Sequence, residues 1–292
     1  MRHAFTLIEV LVVVGIIALL IGILLPALSS VRDSARTSTC ASNMRQLAIG
    51  YAIYAGDNRG IGIPGRMPNI SPAANVYPVG NGLQWRPRWH VTMGASAGFH
   101  AYNEPDPKGA SDNTKHVDHP VFTCPSAPQH TNNRNFTFGY NFQFLGNSRP
   151  RSSDPSRFIN FPVRADSVSG QTVLFADALG TAAHFAEADR TPYRPDGVNE
   201  PTAVGNHAWS LDPPRLTATS DSCHDGNGQR SAPDPRHNAR SNFAFTDGHI
   251  KTRPPDKMGY IMHGDGRFAF AGAETHNRLF SGTGRDDDPP NR

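Results

Sequence analysis

Residues 5–28 read FTLIEVLVVVGIIALLIGILLPAL. Between Glu9 and Arg32 stand 22 residues without a charge. At about 1.5 Å of rise per residue, a helix of that length spans roughly 33 Å, enough for a bilayer core of ~30 Å. One acid, Glu9, sits near the front of the run. A carboxylate facing lipid there costs about 2.5–3.5 kcal/mol or more, so an intramembrane acid calls for a partner. A secretory signal has a shorter apolar core of about 7–15 residues, followed by a small-x-small cut. This run is longer, carries an acid at its front and lacks a small-x-small site before Pro26.

Beyond the run the chain changes character. Its 292 residues leave room for one large or two small domains after the helix. Hydrophobic residues make up 37%, below the usual ~45–50%, and they concentrate in the first 55 positions. With 27 Gly and 25 Pro punctuating the rest, the expectation is a loop-rich domain with a modest core. The net charge of +3 is spread as scattered charges of both signs with no basic block, which predicts no nucleic-acid partner. With the Arg2 end inside, everything after the span lies outside the cytoplasm, where disulfides persist. The three cysteines, Cys40, Cys124 and Cys223, allow three pairings with one left over, or three reduced thiols. The favoured pair is Cys40–Cys124, which would tie the helix to the domain.

Read in order, residues 5–56 form one long helix, transmembrane over about 8–30. Pro26 kinks it rather than ending it, because freed backbone groups in a membrane are re-satisfied by neighbours. Past the proline, Leu28, Val31, Ala35, Met44, Leu47, Tyr51 and Tyr54 form an apolar stripe at three- and four-residue spacings, expected to pack on the domain. Residues 56–60, GDNRG, carry stop chemistry. Residues 60–120 are broken by prolines, with short strands expected around 84–93 and a cluster on Trp85 and Trp89. Residues 121–125 read as a short strand. Residues 135–145, NFTFGYNFQFL, alternate aromatic and polar, which predicts a strand with one buried face. Residues 172–177, TVLFAD, read as a central strand. Residues 241–246 and 249–253 flank Asp247-Gly248, a hairpin signal expected to use a type I′ turn. The polar end, 281–292, is expected to fray. The fold class is α+β, a long N-terminal helix packed on a loop-rich antiparallel β-sheet domain.

MRHA-FTLIEV resembles the leader and mature start of type IV pilins and type II secretion pseudopilins. In that family a short basic leader is cut before a Phe, the fifth mature residue is Glu, and a Pro stands at mature position twenty-two. The resemblance places the cut between Ala4 and Phe5, N-methylation on Phe5, and assembly roles on Glu9 and Pro26. Ala4 departs from the usual Gly. A second stretch, residues 40–65, CASNMRQLAIGYAIYAGDNRGIGIPG, resembles the helix end of bacterial pseudopilin-like proteins at Cys40, Asn43, Arg45, Gln46, Leu47 and Tyr54. Far downstream, His237 is followed by nine residues and then Asp247-Gly248. This His-x9-Asp-Gly spacing resembles the C-terminal signature of a large family of bacterial prepilin-like proteins. Structural roles are expected for His237, Asp247 and Gly248, with His237 bonding a neighbouring strand or the Asp-Gly turn. The resemblance divides the chain into a leader at 1–4, a pilin helix at 5–56, a periplasmic or extracellular domain at 57–280 and a flexible tail at 281–292.

Other chemistry is sparsely signalled. The chain has 13 His, and His207, His224, His237 and His249 lie near Asp247 in sequence, but without HExxH or CxxC spacing they predict no catalytic zinc site. Asp221, Asp225 and Asn227, with Gln229, stand in a Gly-rich loop as weak calcium candidates, lacking a closing Glu. No phosphate loop and no nucleophile elbow is present. No catalytic residue and no cofactor beyond that calcium candidate is expected. The resemblance implies a non-enzymatic structural subunit. It would be cut by a prepilin peptidase, held in the inner membrane lipid by one span, and assembled with other pilin or pseudopilin subunits through its helix. The alternative is an inner-membrane-anchored periplasmic binding protein or enzyme that uses a pilin-type leader.

Overall fold

Thr6 opens the long helix, because its side chain can accept a bond from a first-turn N–H that the helix itself leaves unpaired. In the computed structural model α1 spans Leu7–Asp57, 51 residues, with Thr6 as N-cap and Pro26 inside. The structure describes residues 6–70, 75–108, 117–127, 136–151, 154–192, 200–217, 230–269, 272 and 274–290, with backbone alone over 147–151 and 154–161. The helix stops where expected: Asn58 caps it, and Gly60, at φ +81°, donates back to the Ala55 carbonyl at 2.7 Å.

The domain takes hold of α1 late. Leu7 is 81% exposed and Leu24 63%. The first buried helix residue is Cys40, followed by Met44, Leu47, Ala48, Tyr51 and Ala55 at helical spacing. The expected stripe therefore begins too early. Leu28 and Val31 are exposed, because the elements covering α1 reach only its C-terminal third.

Those elements follow in order. β1 (Val76–Pro78) pairs antiparallel with β2 (Leu83–Trp85), and α2 (Trp89–Ala97) then packs on α1. The region expected as strands near 84–93 is thus half strand, half helix. The strand expected at 121–125 is a 3-10 turn, Pro120–Phe122, whose start is capped by the His119 side chain. β3 (Phe138–Tyr140) is followed by a short helix, α3 (Phe142–Leu145). The alternation at 135–145 did not mark one wet face. Its polar members are buried too: Asn141 donates to the carbonyls of Val173 and Phe280, both at 2.9 Å, and Gln143 donates to Asp212 at 2.9 Å.

β4 (Asn147–Arg151) and β5 (Asp154–Phe161) form a separate antiparallel ribbon. The main sheet is made by β3, β6 (Val173–Gly180), β8 (Ser241–Phe245) and β9 (Ile250–Arg253) in the order β3-β6-β8-β9, with β7 (Ala232–Pro233) also on β6; every pairing is antiparallel. A last pair, β10 (Ile261–Met262) and β11 (Phe268–Ala269), is antiparallel as well. β6 is buried at all eight positions, the central strand that its apolar run predicts. Around it stands an aromatic core. Trp89 of α2 lies 4.7 Å from Phe175 and 6.0 Å from Tyr140, and Tyr51 of α1 lies 6.3 Å from Tyr140. The Trp89 indole N–H is satisfied by the Trp209 carbonyl at 2.7 Å. The chain is thus a long apolar helix on an antiparallel sheet domain, mixed α+β, consistent with a pilin-like architecture.

The C-terminal stretch differs from the frayed tail expected. Arg215 pairs with Asp286 and Asp288, both at 2.8 Å, Asn277 takes an Asp286 oxygen at 2.6 Å, and Ser169 donates to the Gly282 carbonyl. The acidic run 286–288 is a latch for a cation on a distant loop.

Candidate functional site

The N-terminal segment carries the first site. Thr6 and Glu9 form a capping box, with the Thr6 N–H donating to Glu9 Oε2 at 2.9 Å, the Thr6 hydroxyl donating to the same oxygen at 2.8 Å, and the Glu9 N–H donating to Thr6 Oγ1 at 3.3 Å. The lone acid of the apolar run is thus engaged within its own chain. Pro26 sits inside the helix, and its carbonyl accepts from Ser29 Oγ at 2.8 Å. The cleavage pair Ala4 and Phe5 lies outside the described residues.

A second site forms where the domain first grips α1. Cys40, on the helix, reaches the floor of the sheet and donates to Asp177 Oδ1 of β6 at 3.2 Å. Cys124, just after the 3-10 turn, is set by a backbone bond to Thr137 Oγ1 at 2.9 Å. Its Sγ lies 3.5 Å from His237 Nε2, and that same Nε2 lies 3.2 Å from Asp177 Oδ2. All four residues are buried, and one ligand atom from each falls within 4.8 Å of the others. Asp177 Oδ2 also accepts from the Asn242 N–H of β8 at 2.7 Å.

Thr37 decides how the imidazole is used. Its hydroxyl donates to the Asp33 carbonyl at 2.8 Å, so it turns a lone pair toward His237 Nδ1, 3.1 Å away. That makes Nδ1 the donor nitrogen and leaves Nε2 to face the cluster. Electrostatics follow from burial and contact. Burial pushes the Cys40 thiol up. The hydrogen bond from Cys40, with help from His237, brings Cys124 down to about 6. Burial alone would lower His237, but its bonds to Asp177 and Cys124 win and hold it up at about 9.

The expected Cys40–Cys124 pair is brought together in one buried cluster, with both cysteines unbridged. Cys223 lies outside the described residues, as do the calcium candidates Asp221, Asp225 and Asn227, with Gln229 and His224. Among the described residues, the metal-competent group contains His237 but not His207, His249 or Asp247.

The His-x9-Asp-Gly spacing has a simple geometry. His237 and Arg240 exchange backbone bonds of 3.0 and 3.2 Å across Asn238 and Ala239, at φ +53° and +59°. This is the two-residue type I′ turn. The five residues of β8 follow, then Thr246, Asp247 and Gly248. The spacing therefore brackets one strand between two turns. The second turn corrects the type I′ expectation. Gly248 alone has positive φ, +86°, its N–H returns to the Phe245 carbonyl at 2.9 Å, and Phe245 donates to His249 at 3.0 Å. That is a type I turn closed by a glycine bulge. Asp247 caps it by accepting from the His249 N–H at 3.1 Å. His237 bonds across to the neighbouring strand β6, not to the Asp-Gly turn. Sequence reading missed Asp177 and Thr37. The one available signal was an acid ending the otherwise apolar run 172–177.

Residues 1–25 match the family model for the prokaryotic N-terminal methylation motif. No curated protein and no solved structure matches the chain. The motif, together with the long apolar N-terminal helix, supports a type IV pilin-like family. The same features are consistent with membrane anchoring.

Proposed function

We propose that the chain is a pilin-like or pseudopilin structural subunit, not an enzyme. In this reading a prepilin peptidase cuts between Ala4 and Phe5 on the cytoplasmic side and Phe5 is N-methylated. The single span then holds the subunit in the inner membrane with its domain outside, in the periplasm or beyond. The subunit joins others through α1, as part of a type II secretion pseudopilus or a type IV pilus-like filament.

The observation that carries this reading is the naked helix. From Leu7 to Val31 every large apolar side chain is exposed, and no part of the domain among the described residues folds back to cover it. In water that surface is costly at about 25 cal/mol per Å². It has two stable fates, lipid first and copies of itself later. In the filament Glu9 would exchange its Thr6 partner for the Phe5 ammonium of a neighbouring subunit, which sets the axial register.

Glu9→Ala tests the register role. The variant is expected to insert and be cleaved normally, read by the mass of its N-terminal peptide, while the sheared filament fraction disappears. Filaments at wild-type yield would falsify the role given to Glu9. A wild-type helix that crosslinks neither to its own copies nor to other prepilin-like subunits would overturn the assembly reading itself.

A further inference from the structure

We infer that Cys40, Cys124, Asp177 and His237 form a structural zinc site that pins the helix to the domain. The inference is independent of filament assembly. The four ligand atoms converge within 4.8 Å. A tetrahedral zinc with bonds of about 2.3 Å to sulfur and 2.0–2.2 Å to nitrogen or oxygen would place its ligand atoms roughly 3.3–3.8 Å apart. The measured neighbours are 3.2 Å from Cys40 to Asp177, 3.5 Å from Cys124 to His237 and 3.2 Å from His237 to Asp177.

The donor set selects the ion. Two thiolates favour a soft metal, and imidazole with one carboxylate completes a zinc-type shell. All four positions come from buried protein side chains, leaving none for substrate, which is the pattern of a structural rather than a catalytic site. On binding, the ion displaces every proton still held on the two sulfurs and on His237 Nε2, and these leave to solvent. The surrounding atoms already hold the ligands in aim. Thr37 keeps Nδ1 protonated and Nε2 turned inward, as an outer-shell partner of a ligating His does. The Asn242 N–H steadies Asp177.

A polar cleft of about 500 Å³, lined by Asp33, Thr37, Ser126, Arg236 and His237 among others, lies beside the imidazole. The ligands come from segments that only the fold unites, with Cys40 and Asp177 137 residues apart and Cys124 and His237 113 apart. One ion would cross-link α1, the segment after the 3-10 turn, β6 and the turn before β8.

The test uses the full chain, purified in detergent under reducing conditions. Elemental analysis should find one zinc per chain. Cobalt(II) exchanged into the wild type should give a thiolate-to-cobalt charge-transfer band with the intense visible bands of a tetrahedral ion. Cys124→Ser and Asp177→Asn should lower the bound zinc toward zero. If these variants do not fold, the wild-type cobalt spectrum decides alone. Three results overturn the site: a reduced, folded chain with no bound metal, a cobalt spectrum without the thiolate band, or a Cys40–Cys124 disulfide trapped by alkylation in native membranes.

Discussion

Thr37→Val isolates one hydroxyl at the junction of helix and domain. Valine keeps the shape and β-branching of threonine, so helix propensity barely changes. The Asp33 carbonyl loses a second donor but can keep its bond within the helix. What is lost is the acceptor for His237 Nδ1, 3.1 Å away, on a side chain only 1% exposed. An unsatisfied buried donor costs about 1–3 kcal/mol. For a domain of this size each kcal/mol lowers the melting temperature by about 2–4 °C, giving a drop of about 2–12 °C. The assay is near-ultraviolet circular dichroism of the full chain in detergent, where the aromatic core around Trp89 reports tertiary packing. Thr37→Ser, which keeps the hydroxyl, should melt close to wild type. If Val and Ser variants melt together at the wild-type temperature, the Thr37–His237 bond does not hold this junction.

Three further outcomes follow from the same structure. Met44→Ala, at a fully buried helix position, should cost about 2–5 kcal/mol in denaturant unfolding, whereas Leu20→Ala, on the exposed stretch, should leave the domain's unfolding curve unchanged. Gly248→Val should destabilise by roughly 1–2 kcal/mol through its positive φ alone, since a side chain there meets open space; a Gly248→Asn variant should lose less, by equilibrium unfolding. The Arg215 hydrogen bond holds the Asp286 carboxyl below its usual range, so its contribution is present at neutral pH and is lost only as pH falls below the ordinary carboxylate value of about 3.9. Protection of 275–288, measured against the slower intrinsic exchange at low pH, should therefore fall on acidification before that of the β6–β8 core does, and simultaneous loss of protection would refute the latch.

The helix was legible because its information is local. A charge-free run of membrane length, an acid at its front, a cap residue at Thr6 and stop residues at 56–60 each act through neighbours in the chain. β6 and the β8–β9 hairpin were legible for the same reason, one from an apolar run, the other from Asp-Gly. The reading at 121–125 failed because Pro120 and the His119 cap start a 3-10 turn there, and the reading at 135–145 failed where polar residues are buried. Asn141 and Gln143 look like a wet face in sequence, and only tertiary partners such as Val173, Phe280 and Asp212 make their burial tolerable.

The amino-acid sequence by itself determined that a long apolar helix would leave the domain, roughly where it would end, and that Cys40, Cys124 and His237 were each worth attention. Only the tertiary structure decided that the domain grips the helix from Cys40 rather than Leu28. It alone brought those three residues to one point with Asp177, and turned Nε2 of His237 inward by way of Thr37. The physical reason is range. Helix propensity, capping and turn chemistry act over three or four residues, whereas a four-ligand cluster spanning positions 40 to 237 exists only after the sheet has closed.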